Sequence, residues 1–139
     1  MNRDAPFWSA LEAPSLDEIE KLARLAFREL PEDFRALCGD VTIVVAEFPE
    51  DVDLKELDIE SPFDLLGLFQ GVGMAHASAT PSTGSMPNRI WLYRRPILDY
   101  WAEHEETLGD IVTHVLLHEI GHHFGLSDDD IDAIEAAAG

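Results

Sequence analysis

The sequence predicts an α+β domain in which a small three- to four-stranded sheet packs on one long helix. Three observations carry this. Apolar residues recur at helical spacing in Leu16–Leu30 and again in Ile111–Ile120. Between them lie three short strand-like runs, Val41–Ala46, Leu65–Gln70 and Arg89–Arg94. The order is therefore helix, strand, strand, strand, helices, with the strands grouped together, and grouped strands point to α+β architecture.

Residues 1–14 carry prolines and no periodicity, so they read as an irregular N-terminal segment in which Phe7 and Trp8 are candidates to dock on the body. Residues 15–139 read as a single domain. Ser15-Leu16-Asp17-Glu18 is a capping box. Leu16, Ile19, Leu22, Leu25, Phe27 and Leu30 follow mostly along one helical face until Pro31 stops the run. Pro31–Leu37 adds a short helical turn, and Cys38 reads as a small core residue at its end. Val41–Ala46 is β-branched and apolar, the composition of a buried strand. Pro49–Ile59 is acidic, a loop or short helix. The second strand, Leu65–Gln70, is ended by Gly71 and Gly73, and Ala79–Asn88 has the composition of a mobile loop. Arg89–Arg94 is the third strand, and Pro96 suits the first turn of a helix through Tyr100 and Trp101. Thr107 caps the long helix, whose core face is Ile111, Val112, Val115, Leu116 and Ile120. From Leu108 to Phe124 that helix spans about 26 Å at 1.5 Å per residue. A last helix covers Asp128–Ala138.

Composition narrows the function. The 139 residues hold 28 acids against 9 bases, a formal charge of −19. A surface of that sign repels nucleic-acid phosphates and anionic headgroups, so neither nucleic acid nor a membrane is an expected partner. No apolar run approaches the length of a membrane span, and the N-terminus lacks a secretory pattern. The single cysteine, Cys38, supports neither a disulfide framework nor a thiolate metal cluster. Together these place the expected location in the cytoplasm.

The chemistry is concentrated in His118-Glu119-Ile120-Gly121-His122-His123-Phe124-Gly125-Leu126-Ser127-Asp128, which reads H-E-x-x-H-x-x-G-x-x-D. Residues four apart share a helix face, so His118 and His122 can close on one metal ion. Glu119 stands one step round, where a carboxylate can take a proton from metal-activated water. Gly125 can end the helix in a left-handed conformation, and the chain then turns so that Asp128 can return as third ligand. Two His and one carboxylate on Zn²⁺ leave a coordination position open, the arrangement of a catalytic site. The bland alternative is a polar helix end whose histidines favour the C-terminal dipole, but Glu119 would sit badly there.

Asp128 has competitors. Ser127-Asp128-Asp129-Asp130 also reads as a cap, with Ser127 as N-cap and Asp130 three residues on. The cap and the metal role can coexist. Asp129, Asp130, Asp132, Glu135 and the upstream His76 are the other candidate third ligands. His123 points off the metal face and reads as exposed or as a neighbour of the ligands. His114, one turn before His118, reads as a partly buried structural histidine.

With these residues in view, the chain resembles a family of small bacterial zincin-like metallopeptidases, the minimal zincins. The resemblance runs from about Leu16 to the end, and His118 to Asp128 is its most specific stretch. Glu29–Glu32, Val41–Pro49, Asp64–Leu68 and Arg89–Pro96 support it. It implies a zincin-like α+β fold, zinc on the two motif histidines and a peptidase-type site. The motif is also similar to that of the metzincins, but those carry a methionine turn after it. Here the methionines are Met1, Met74 and Met86, and eleven residues follow Asp128. A deep substrate cleft and the usual tyrosine stabiliser are therefore not carried over.

The expected function is hydrolysis of a peptide or protein substrate, with Zn²⁺ on His118, His122 and Asp128 and with Glu119 as the catalytic base. Arg89–Arg94 is the expected edge for pairing with an extended peptide, and Tyr93 and Tyr100 are candidates to stabilise the oxyanion. One rival is a non-catalytic zinc-binding or interaction module. Another is a metal-dependent nuclease, which the charge and Glu119 both oppose.

Overall fold

The computed structural model describes residues 4–71 and 88–138. His76, Met74, Met86 and most of the expected Ala79–Asn88 loop lie outside the described residues. Helices α1 (Asp4–Ser9), α2 (Leu16–Arg28) and α3 (Glu32–Cys38) precede β1 (Val41–Ala46) and α4 (Asp51–Glu56). A 3₁₀ turn at Pro62–Asp64 leads into β2 (Gly67–Gln70), and β3 is Asn88–Tyr93. Then come α5 (Arg94–Glu103), α6 (Leu108–His123) and α7 (Asp128–Ala138). The domain is α+β, with a mixed three-stranded sheet covered by helices.

The strand order is β1-β3-β2. β1 runs parallel to β3 in the register Val41↔Asn88 through Ala46↔Tyr93. β2 runs antiparallel to β3, with Gly67 opposite Leu92 and Gln70 opposite Arg89. β3 is thus the central strand, which corrects its expected role as the edge open to a peptide. Its alternating residues are needed on two faces. Ile90 and Leu92 enter the main core with Ile43, Phe69 and α6, while Trp91 and Tyr93 face a second cluster with Leu54 and Leu65. Among the described residues, the edge strands are β1 and β2.

The helices form where local chemistry places them. Ser15 caps α2 through a reciprocal pair: its Oγ accepts from Glu18 N at 3.1 Å, and Glu18 Oε1 accepts from Ser15 N at 2.9 Å. The buried stripe of α2 is Ile19, Ala23 and Ala26, continued by Leu30 beyond its end. Leu25, expected in the core, is 47% exposed because it lies off that stripe. Thr107 caps α6, its hydroxyl accepting from Asp110 N at 3.1 Å. The expected core face of α6 is buried throughout, and Leu117 and Gly121 join it. Cys38 is buried at the end of α3, and burial pushes its thiol up to about 11.

Residues 1–14 are not wholly irregular, since Asp4–Ser9 is a short helix. Pro6 is tolerated there because N–H groups of a first helical turn have no intrahelical acceptor. Phe7 and Trp8 meet each other edge to face, with centroids 5.1 Å apart. They remain largely exposed instead of docking on the body. No helix among the described residues is long and apolar enough to cross a membrane.

Candidate metal centre and its neighbouring carboxylate

The site forms where α6 ends and α7 begins. Gly125 takes φ +85°, the left-handed conformation that terminates a helix. Its N–H donates to His122 O at 3.1 Å, and Leu126 N–H donates to Gly121 O at 2.8 Å. This is the double hydrogen bond of a Schellman turn. Two residues on, Ser127 caps α7. Its Oγ accepts from Asp130 N at 3.1 Å, and Asp130 Oδ2 accepts from Ser127 N at 3.1 Å. Asp130 is therefore occupied by the cap, and Asp128, at the first helical position, is left to face α6. The close approach of the two helices depends on Gly121. A Cβ there would lie 2.7 Å from Ile131 Cγ1, and Ile131 is fully buried.

The structure brings His118, His122 and Asp128 together, with ligand-capable atoms all within 4.8 Å of one another. Asp128 Oδ1 stands 2.7 Å from His122 Nε2 and 3.6 Å from His118 Nδ1. Donor atoms around a tetrahedral zinc with bonds near 2.0–2.1 Å lie about 3.3 Å apart. The two spacings to Asp128 bracket that value and the third is within 4.8 Å, so the set can close on such an ion with side-chain adjustment. The other ring nitrogen of His118, Nε2, is buried without a hydrogen-bond partner among the described residues, and a flip of the ring would turn that nitrogen toward Asp128. Burial, with His114 and His122 alongside, holds the His118 imidazolium below its ordinary range, while Asp128 and Glu135 act in the opposite direction. The neutral imidazole is the form that binds metal. The group is open to solvent, with the Asp128 side chain 72% exposed.

Glu119 occupies a different environment, packed between α6 and β2. At Gly67 a Cβ would lie 2.7 Å from Val115 Cγ1, 3.0 Å from Trp91 O and 3.4 Å from Glu119 Cγ. Only a glycine lets the strand come this close to the helix. Burial pushes the Glu119 carboxyl up to about 7, with His122 and the backbone N–H of Phe69 pulling it back down. That is the range in which a carboxylate works as a base near neutral pH.

Other expected residues fall elsewhere. His123 does turn off the face that carries His118 and His122. It is half-buried, however, and stacks on Phe69 with ring centroids 4.1 Å apart. His114 is exposed, not partly buried, because it lies on the outer stripe of α6. Its Nδ1 is 3.4 Å from Glu135. Tyr93 is buried against Leu54 and Leu65, and its phenol is pushed upward by burial first and then by Asp53, Glu50 and Glu119. Tyr100 donates to Glu106 at 3.4 Å and stacks on His104. The contributions of Gly67 and Phe69 were not anticipated from sequence. The available signal was an isolated glycine inside an apolar strand, which marks a close backbone approach.

No curated protein matches the chain. A family model described as zincin-like metallopeptidase matches residues 38–138, beginning well after Leu16 and leaving α1 and α2 outside it. That span takes in the three described strands, Glu119 and the His118–His122–Asp128 corner, and the chain belongs to the zincin-like metallopeptidase family.

Proposed function

We propose that this protein hydrolyses peptide bonds in a peptide or protein substrate, with Zn²⁺ held by His118, His122 and Asp128 and with Glu119 as the catalytic base. The observation that carries this reading is the pairing of two unlike environments one residue apart. A two-His, one-Asp cluster is open to solvent, and beside it a half-buried carboxylate has a proton affinity raised to about 7. A site that held metal for stability alone would have no use for such a carboxylate.

Zinc in this seat supplies Lewis acidity toward water and toward a carbonyl oxygen. The chain's own residues do the rest. His118 and His122 offer neutral nitrogens from successive turns of α6, and Asp128 offers the anionic oxygen. Glu119 takes the proton from the attacking water and returns it to the leaving amine. The Phe69 N–H orients the Glu119 carboxylate, and the tight packing at Gly67 shields part of it from water. An extended substrate would pair with β2, the edge strand beside Glu119, which takes the place of β3 in this role.

The test compares wild type with Glu119→Gln on a broad peptide library, with bound zinc measured alongside. One zinc per chain is expected in both proteins, with cleavage falling about 10²- to 10⁴-fold in the variant. Full activity in the variant would overturn the base assignment. Zinc-dependent stability with no cleavage of any peptide would favour the non-catalytic zinc module.

A further inference from the structure

Three histidines, not two, line the outer face of α6. His114, His118 and His122 follow one another at intervals of four, and successive members turn about 40° around the axis. Along α7, Asp128 and Glu135 are seven residues apart and therefore nearly in line. The packing of α7 on α6 brings Asp128 to His118 and His122 and Glu135 to His114 and His118. The second trio meets the same spatial condition as the first, with ligand-capable atoms within 4.8 Å of one another. His114 Nδ1 is 3.4 Å from each carboxylate oxygen of Glu135. The ring of His118 lies nearer His114 than His122, with centroids 4.0 Å and 5.4 Å away.

We propose that His114, His118 and Glu135 form a second, outer seat for a divalent cation of the zinc class, one helical turn from the first, and that the two seats hold one ion in alternation. Two imidazole nitrogens and a carboxylate oxygen are a zinc-type donor set. Alternation follows from the chemistry of the shared residue, because a neutral imidazole has one free nitrogen lone pair and serves one cation at a time. The outer seat has only His118 in common with the site above and does not involve Glu119 as base. An ion held there leaves His122 and Asp128 unliganded, so the outer seat is a holding position that competes with the inner one.

The test removes the inner seat and asks whether a cation still binds. The metal-free His122→Ala/Asp128→Ala chain is titrated with zinc by calorimetry, while the histidine ring signals are followed by NMR. One equivalent should bind more weakly than to wild type and shift the His114 and His118 signals. Adding His114→Ala and Glu135→Gln should weaken that binding at least tenfold. No zinc binding by the double variant, or binding unmoved by the added changes, would overturn the outer seat. A wild-type chain that holds two ions at once would overturn the alternation.

A milder variant, Asp128→Asn, guards against loss of the fold. Zinc should perturb its His114 signal more than that of wild type, and an unmoved signal counts against the proposal. Failure of these tests while wild type still binds one zinc removes only the outer seat. Undiminished affinity in His122→Ala/Asp128→Ala removes the inner one.

Discussion

His118 and Glu119 are sequence neighbours on α6, yet they belong to two regions built in different ways. His118 faces the α6–α7 corner, where its partners His122 and Asp128 come from within eleven residues of chain and open to water. Glu119 faces the junction with β2, where its neighbours Gly67 and Phe69 come from about fifty residues upstream and leave it half-buried. The difference teaches that the proposed site divides its labour. The candidate metal corner is set by local chain geometry, while the proton affinity of the proposed base is set by long-range packing. The two sides should therefore be separable by mutation.

The largest effect is expected in the corner. His118→Ala and His122→Ala should each weaken zinc by more than about a hundredfold, since even residues that only support a ligand are worth about 10- to 100-fold. Asp128→Ala should also weaken zinc strongly, while Asp129→Ala should not. Equilibrium dialysis against a zinc buffer measures this, and full retention by both histidine variants would break the assignment.

The two glycines sharpen the comparison by crossing it. Gly67→Ala forces β2 off α6 and should destabilise the fold by about 1–3 kcal/mol, the usual cost of overpacking. It should also bring the Glu119 carboxyl down from about 7 in the metal-free protein, with little change in zinc affinity. Gly121→Ala forces α7 away through Ile131. The better helix propensity of alanine, about 1 kcal/mol, offsets part of its cost. This variant should weaken zinc and leave the Glu119 proton affinity unchanged. Carboxyl NMR titration and denaturant unfolding read both outcomes, and a reversed pattern would show that the two regions are not independent.

A smaller effect comes from Glu119 itself in the metal-free protein. Its folded carboxyl, at about 7, lies above the ordinary value of 4.5, so its contribution to stability is fully present below pH 4.5 and is lost as pH rises through 7. Glutamine carries no such titration. Relative to wild type, metal-free Glu119→Gln should therefore gain stability on going from pH 4 to pH 8, by on the order of 2 kcal/mol. Unfolding curves in chelator at the two pH values check this, and equal differences at both would mean that folding does not raise the proton affinity of the carboxyl. The smallest change is Ser127→Ala, which removes one side of the α7 cap and should cost about 1 kcal/mol, with a slight loss of zinc affinity.

Much of the corner was legible in the sequence. The intervals between His118 and His122, the left-handed Gly125 and the Ser127–Asp130 cap are short-range relations whose geometry follows from helix pitch and capping chemistry. The α+β class and the buried face of α6 were legible for the same reason. The strand order was not. Arg89–Arg94 reads as well for an edge as for a centre, and only its pairing with both β1 and β2 makes it central. The exposure of Leu25 and the pairing of His114 with Glu135 likewise depend on where α6 and α7 meet their neighbours.

By itself, then, the sequence determined which side chains α6 and the turn after it can gather, because fixed helical geometry acts over a few residues. The tertiary structure alone decided what surrounds them: β2 against Glu119, Ile131 against Gly121, and Glu135 beside His114. Those contacts depend on burial and close packing between distant segments, and no local spacing encodes them.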